Sequence, residues 1–326
     1  MLAPGSGRHH ARAVLASLSP RALARASLLC LLCLLGCASV KPQTSNDAGG
    51  HDIAAPAIDA PTDLSFDFSG AERPPPAPGK VYAHSDTTLW LLEPISKAVT
   101  MVGAFDCVGT TVSSMVDIAI DRAGKMTGCA AISFQGALGG ALVSIDPTNA
   151  RCTVLTRGPN LVTSLTYVPE GTLVANAEAL VGYADDRYVR VDPATGAVTD
   201  IGLLNNAASG GVRWLSSGDV VSIKDGGTYL TVTAEGAGAG TPGGDRIVEV
   251  DPKTGALKRI IGPTGMDEVL GLGYWGGIAY GFTLAGKLIQ IDLTTGAGTP
   301  LPIPAAPADL AFFGAGTTTV APIIVE

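Results

Sequence analysis

Charge and aromatic rings are scarce in this 326-residue chain. Charged residues make up 15% and aromatics 5%. Glu and Lys are too few, and heptads absent, so a coiled coil is excluded. No G-x-y period runs through the sequence, which excludes collagen. No Lys/Arg cluster exists and the formal net charge is −8, so nucleic acid and anionic headgroups are poor partners. No uninterrupted apolar run reaches the ~18 residues of a membrane-spanning helix. Of four His, only His84 lies beyond residue 80. A Ser-His-Asp triad would have to use it, and no Gly-x-Ser-x-Gly elbow accompanies it, so its expected place is a strand or loop without catalytic work. What is abundant is 42 Gly and 22 Pro, about a fifth of the chain against ~12% on average. With 46% apolar residues a sizeable core can still form. That combination argues for many short strands joined by turns.

The first 36 residues carry Arg8, Arg12, Arg21 and Arg25, no acid, and an apolar run from Ala26 to Gly36. A basic flank before a short apolar core is the layout of a secretion signal. The run ends Leu34-Leu35-Gly36-Cys37, which resembles the bacterial lipobox. The resemblance implies cleavage before Cys37 and lipidation of its thiol, with a further acyl chain on the freed amine. Two or more chains anchor stably where one does not. In lipoproteins of this kind Asp after the Cys favours inner-membrane retention. Ala38 stands there, which implies an outer-membrane lipoprotein, periplasmic or surface-exposed. Losing four arginines moves the formal charge from −8 to −12.

Residues 37–80 begin with that Cys and continue as a Pro-rich tether. Seven Pro and six acidic residues, without apolar periodicity, read as a disordered linker. As a flexible coil it reaches about 35–40 Å. Beyond it remain Cys107, Cys129 and Cys152. Three thiols allow at most one internal disulfide, and sequence does not choose the pair. Without His neighbours they make no zinc site.

Residues 81–326 repeat. One motif is Val189-Arg-Val-Asp-Pro-Ala-Thr-Gly196, with copies ending at Ala150, Gly255 and Gly296 and a worn copy at Trp90–Lys97. The paired aliphatics face one side of a strand. Asp146, Asp192, Asp251 and Asp292 cap the turn by accepting backbone N–H groups two residues on. Gly196, Gly255 and Gly296 take the left-handed conformation that returns the chain. These are structural turn residues, since recurrence in every unit signals a shared structural duty.

A second column precedes each hairpin: Asp117-Ile-Ala-Ile120, Ser164-Leu-Thr-Tyr167, Gly211-Val-Arg-Trp214, Gly271-Leu-Gly-Tyr274 and Asp309-Leu-Ala-Phe312. Each is followed by a Gly-containing turn. The mean spacing near 48 residues, with four short strands per unit, predicts an all-β propeller. The ends are complementary half-units, so strands from both termini should close one shared blade. That gives five blades, or six if a degenerate unit lies between Asp225 and Asp245. An open hairpin solenoid would instead carry unrelated caps.

On the repeated Asp-Pro-x-Thr-Gly turn, residues 81–326 resemble the broad YVTN/gluconolactonase-like propeller group and its bacterial lipid-anchored members. No Trp-Asp repeat dipeptide occurs, and Trp90, Trp214 and Trp275 occupy unlike positions. In a closed ring Asp117, Asp309 and Ser164 would line the central channel. Two carboxylates and a hydroxyl suit a hard cation such as calcium. The resemblance then implies a calcium-dependent lactonase-like hydrolase as one reading. The preferred reading is a module without catalysis or cofactor, binding or scaffolding at the cell envelope. Its partners would be the membrane through the lipid and an unnamed envelope protein or small-molecule ligand. Gly236-Ala-Gly-Ala-Gly240 opens no helix, so it reads as a loop rather than a phosphate cradle.

Overall fold

The computed structural model describes residues 80–237 and 244–324. The signal segment, Cys37 and the tether lie outside the described residues. Among those described, no helix is long and apolar enough to cross a membrane.

Twenty strands, numbered in chain order, form five four-stranded antiparallel sheets. Blade II holds β4 (Ser114–Ile120), β5 (Met126–Phe134), β6 (Ala137–Ile145) and β7 (Cys152–Gly158). Blade III holds β8 (Ser164–Val168), β9 (Ala179–Ala184), β10 (Arg187–Val191) and β11 (Val198–Leu203). Blade IV holds β12 (Trp214–Ile223), β13 (Gly227–Ala234), β14 (Arg246–Val250) and β15 (Leu257–Pro263). Blade V holds β16 (Val269–Trp275), β17 (Ile278–Thr283), β18 (Leu288–Ile291) and β19 (Gly298–Leu301). Blade I joins the ends: β20 (Gly314–Thr317) pairs with β1 (Val81–His84), followed by β2 (Thr88–Leu92) and β3 (Val99–Ala104). The first strands β4, β8, β12, β16 and β20 pack on one another in a ring. This is a five-bladed propeller, closed by strands from both ends.

The hairpin turns form as their residues dictate. In the four Asp copies the Asp carboxylate accepts the N–H two residues on, at 2.7–2.9 Å. The Asp carbonyl accepts the N–H four residues on, from Ala150, Gly196, Gly255 and Gly296. Lys97 and Ala150 take the same left-handed turn at φ 62° and 63° without being glycine, so these two copies keep the turn without its final Gly. The core lies between blades, where aliphatic faces of adjacent sheets meet. Cys107 and Cys152 form a disulfide across 45 residues, tying the segment after β3 to the start of β7.

Four expectations shift. The last first-strand is Gly314-Ala-Gly-Thr317, and Asp309-Leu-Ala-Phe312 lies before it, with Asp309 exposed in a turn. Gly211 likewise sits in a turn ahead of β12, whose inner part begins later because a bulge between Ser216 and Val220 lengthens the strand. No sixth blade is built after Asp225. Residues 225–245 supply β13 and a long loop, and residues 238–243 of that loop, including most of the Gly-Ala repeat, lie outside the described residues. Gly218 and Gly316, the glycines expected in the turns after the third and fifth copies of the second column, fall within β12 and β20.

Candidate functional site: an axial carboxyl pair

In each innermost strand one position faces the axis. The pairing of first with second strands identifies it: Gly314 opposite His84, Asp117 opposite Cys129, Ser164 opposite Tyr183, and Gly271 opposite Phe282. In β12 the matching residue is Asp219, whose N–H donates to Thr231 Oγ1 at 2.9 Å. Bulk alternates across each pair. Where the axis carries Gly or Ser, the second strand carries a ring. Where it carries Asp, the second strand carries Cys or Thr.

The residue after each of these five positions aims its backbone N–H at the centre, and the two aspartates receive all five. Asp117 Oδ1 accepts from Ile118 at 2.8 Å and Oδ2 from Leu165 of blade III at 2.6 Å. Asp219 Oδ1 accepts from Val220 at 2.6 Å, and Oδ2 from Leu272 of blade V at 2.8 Å and Ala315 of blade I at 3.2 Å. One amide from every blade thus ends on a carboxyl at the axis. Unpaired, each buried N–H would cost about 1–3 kcal/mol. The pair therefore satisfies the innermost backbone and ties the five sheets together.

Both side chains are buried, Asp117 at 1% and Asp219 at 0% exposure. Burial pushes both carboxyls well above the usual range, partly opposed by the amides. A hydrogen bond joins the two side chains, and the Asp117 charge raises Asp219 further. The two carboxyls therefore share one proton between them, as two adjacent carboxylates cannot both ionise.

His84 borders the pair. Its Nδ1 donates to the Ser85 carbonyl at 2.7 Å, which fixes the tautomer with Nε2 unprotonated. Nε2 lies 3.8 Å from Asp117 Oδ1 and has no hydrogen-bond partner. Burial lowers the imidazole pKa to about 4, so the ring is neutral at physiological pH. Gly314 is required between them. A Cβ there would lie 2.4 Å from His84 Nε2 and 2.5 Å from Asp117 Oδ1.

Of the residues predicted to line the channel, the structure brings Asp117 and Ser164 to the axis and leaves Asp309 exposed in a turn. Ser164 Oγ accepts from the Tyr183 N–H at 3.1 Å and completes its own blade. Asp219 was missed. Its signal was present, because Asp219-Val-Val repeats the Asp117-Ile-Ala pattern. Gly211-Val-Arg-Trp214, eight residues earlier, fitted the aliphatic-then-large spacing better. These residues do not fit calcium. The cation would need six or more oxygens, and here five N–H donors already occupy the two carboxyls and present positive dipole ends. Among the described residues no group of three or more His, Cys, Asp and Glu is arranged to hold a metal.

No known protein-family profile matches the chain. No curated protein matches it by sequence. Several solved structures resemble it in fold. One is a nidogen/laminin complex, at 12% identity and TM-score 0.45, covering 76% of this chain and 100% of that one. Another is BamB from Moraxella catarrhalis, at 14% identity and TM-score 0.33, covering 67% of this chain and 58% of that one. A third is an oligogalacturonate lyase in complex with manganese, at 12% identity and TM-score 0.36, covering 70% and 62%. The chain thus spans less than two thirds of the latter two. Likeness at this level says nothing of activity.

Proposed function

We propose that this protein is a non-catalytic binding module, held at the cell envelope by a lipid on Cys37, with a propeller that engages an envelope protein or small ligand. The observation that supports it is the closure of the axis. Five convergent amides, which would otherwise make a ligand site, are consumed by the chain's own Asp117 and Asp219. A lactonase-like hydrolase would need open, solvent-reached oxygens where these are buried and shared. Binding then falls to blade interfaces, edges and loops, where propellers carry most variation.

Calcium titration of the full-length protein tests the channel. The melting temperature should stay flat, equally for wild type and Asp117→Asn. A calcium-dependent rise that Asp117→Asn abolishes would move the protein to the hydrolase reading. Anchoring has a separate test. Wild type should fractionate with membranes and Cys37→Ala should not. Retention of that variant would refute the lipid.

A further inference from the structure

The blade interfaces are not equally filled. Between blades III and IV the work is done by two tyrosines. Tyr183 on β9 and Tyr188 on β10 face each other in register and are both fully buried, with ring centroids 5.0 Å apart. Their hydroxyls reach the hairpin turn of blade IV. Tyr183 donates to the Gly255 carbonyl at 2.7 Å and Tyr188 to the Pro252 carbonyl at 2.8 Å.

One interface earlier the same two positions are Cys129 and Leu142, which pair with each other as Tyr183 pairs with Tyr188. Neither carries a ring or a hydroxyl. A third difference adds to this. The outer-strand residue at the bulge is Gly103 in blade I, Gly202 in blade III and Gly262 in blade IV, and each lies against the carbonyl of the next blade's turn. In blade II that residue is Thr156, and its hydroxyl props against Gly196 of the blade III turn. Thr156 keeps the sheets apart where glycine would let them close.

The result is a half-open cleft of about 270 Å³ between blades II and III. Cys129, Leu142, Val162 and Leu165 are among its apolar lining, and Thr156 and Gly196 border it. Gly196, half-buried at the border of this space, stands where Gly255 stands in the next blade turn, whose carbonyl takes the Tyr183 hydroxyl. The Cys129 thiol donates to the Val162 carbonyl at 3.0 Å.

We infer that this cleft is a binding site for a small phenol, whose ring takes the place of the missing tyrosine rings and whose hydroxyl donates to the Gly196 carbonyl. The inference goes beyond the reading above. It concerns another place in the fold and stands with or without the lipid anchor. A para-substituted phenol suits the geometry, because the interface next door is a tyrosine-filled version of the same space. A purely apolar ring would fill the volume without a hydrogen bond to the Gly196 carbonyl. One hydrogen bond of about 1.4 kcal/mol is a tenfold difference in affinity.

The probes are p-cresol and toluene, used on the full-length protein. p-Cresol should raise the melting temperature in a saturable way and slow modification of Cys129 by methyl methanethiosulfonate. Toluene should bind about tenfold more weakly. Cys129→Phe, which fills the cleft, should abolish the p-cresol response. Should that variant fail to fold, Thr156→Gly serves instead, since it lets the blades close and should weaken binding with the fold retained. Equal binding of toluene and p-cresol would overturn the phenol assignment. A flat melting temperature with unprotected Cys129 would overturn the site.

Discussion

Aspartate serves the axis and the rim of this molecule in the same way, by accepting backbone amides, but in opposite surroundings. At the rim Asp146, Asp192 and Asp292 are exposed to water. Hydrogen bonds from turn residues dominate there, and hold these carboxyls below the usual range, Asp292 at about 2. At the axis burial dominates, and Asp117 and Asp219 are pushed the other way. The rim residues can each be charged and independent. The axial pair must share a proton. What differs is not the number of bonds but whether water remains to solvate the charge.

The largest expected effect that tests this contrast is on stability. Asp219→Ala orphans the N–H groups of Val220, Leu272 and Ala315 and leaves Asp117 without its partner. It should cost about 3–5 kcal/mol by denaturant unfolding. A loss under about 1 kcal/mol would mean that water replaces the carboxyl freely and that the axis is no different from the rim.

The second effect is pH dependence, where the two regions have opposite signs. A carboxyl whose folded pKa is raised makes the native state hold more protons than the unfolded one. Its stability contribution is complete below the ordinary carboxylate value and declines as pH rises toward the folded value. The axis should therefore weaken the protein progressively as pH rises from the ordinary carboxylate value toward the folded one, a decline that His84 overlaps only below about pH 6.5. Asp219→Asn should flatten that decline. The rim carboxyls act in the other direction. Their contribution is present above the ordinary value and is lost as pH falls through the folded one, down to about 2 for Asp292. Stability that is level from neutral to alkaline pH in wild type would remove the distinction.

His84 gives a third, smaller signal within the axial region. Its lowered pKa means that the unfolded chain takes up a proton that the native one refuses. Stability should fall as pH drops from 6.5 through about 4. His84→Asn keeps a donor for the Ser85 carbonyl and should lose this acid-side component, as read by melting temperature across that window. The smallest effect belongs to the rim. Asp251→Ala should cost only about 0.5–1 kcal/mol, because water still reaches the half-buried acceptor. It should also add independently to Asp219→Ala, since distant sites do not couple.

The rim was legible in the sequence and the axis only half so. Turn chemistry is local: Asp, Pro, Thr and Gly at fixed offsets specify the hairpin whatever surrounds it. The closure was legible from Val81–His84 and from the unmatched unit at the other end. The axis is a convergence of five distant segments, and its register depends on packing. Asp219 escaped notice because the β12 bulge moves it eight residues beyond a better-looking match. Gly314-Ala-Gly-Thr317 escaped because small residues are needed beside His84 and Asp117, which erases the aliphatic and large-residue pattern of the other copies. Asp309-Leu-Ala-Phe312 imitates that pattern, and Phe312 is buried in the core, but in a segment before β20. The Cys107–Cys152 pairing was equally invisible, because it rests on the approach of the segment after β3 to the start of a distant strand, β7.

The sharpest test of the axial account is a count of protons. With 13C label on the aspartate carboxyls, NMR spectra should contain a carboxyl that stays protonated above the ordinary aspartate range, and that protonated signal should be lost in Asp219→Asn. If every aspartate is ionised by about pH 6, no proton is shared at the centre, and the account of how the five blades are joined is wrong.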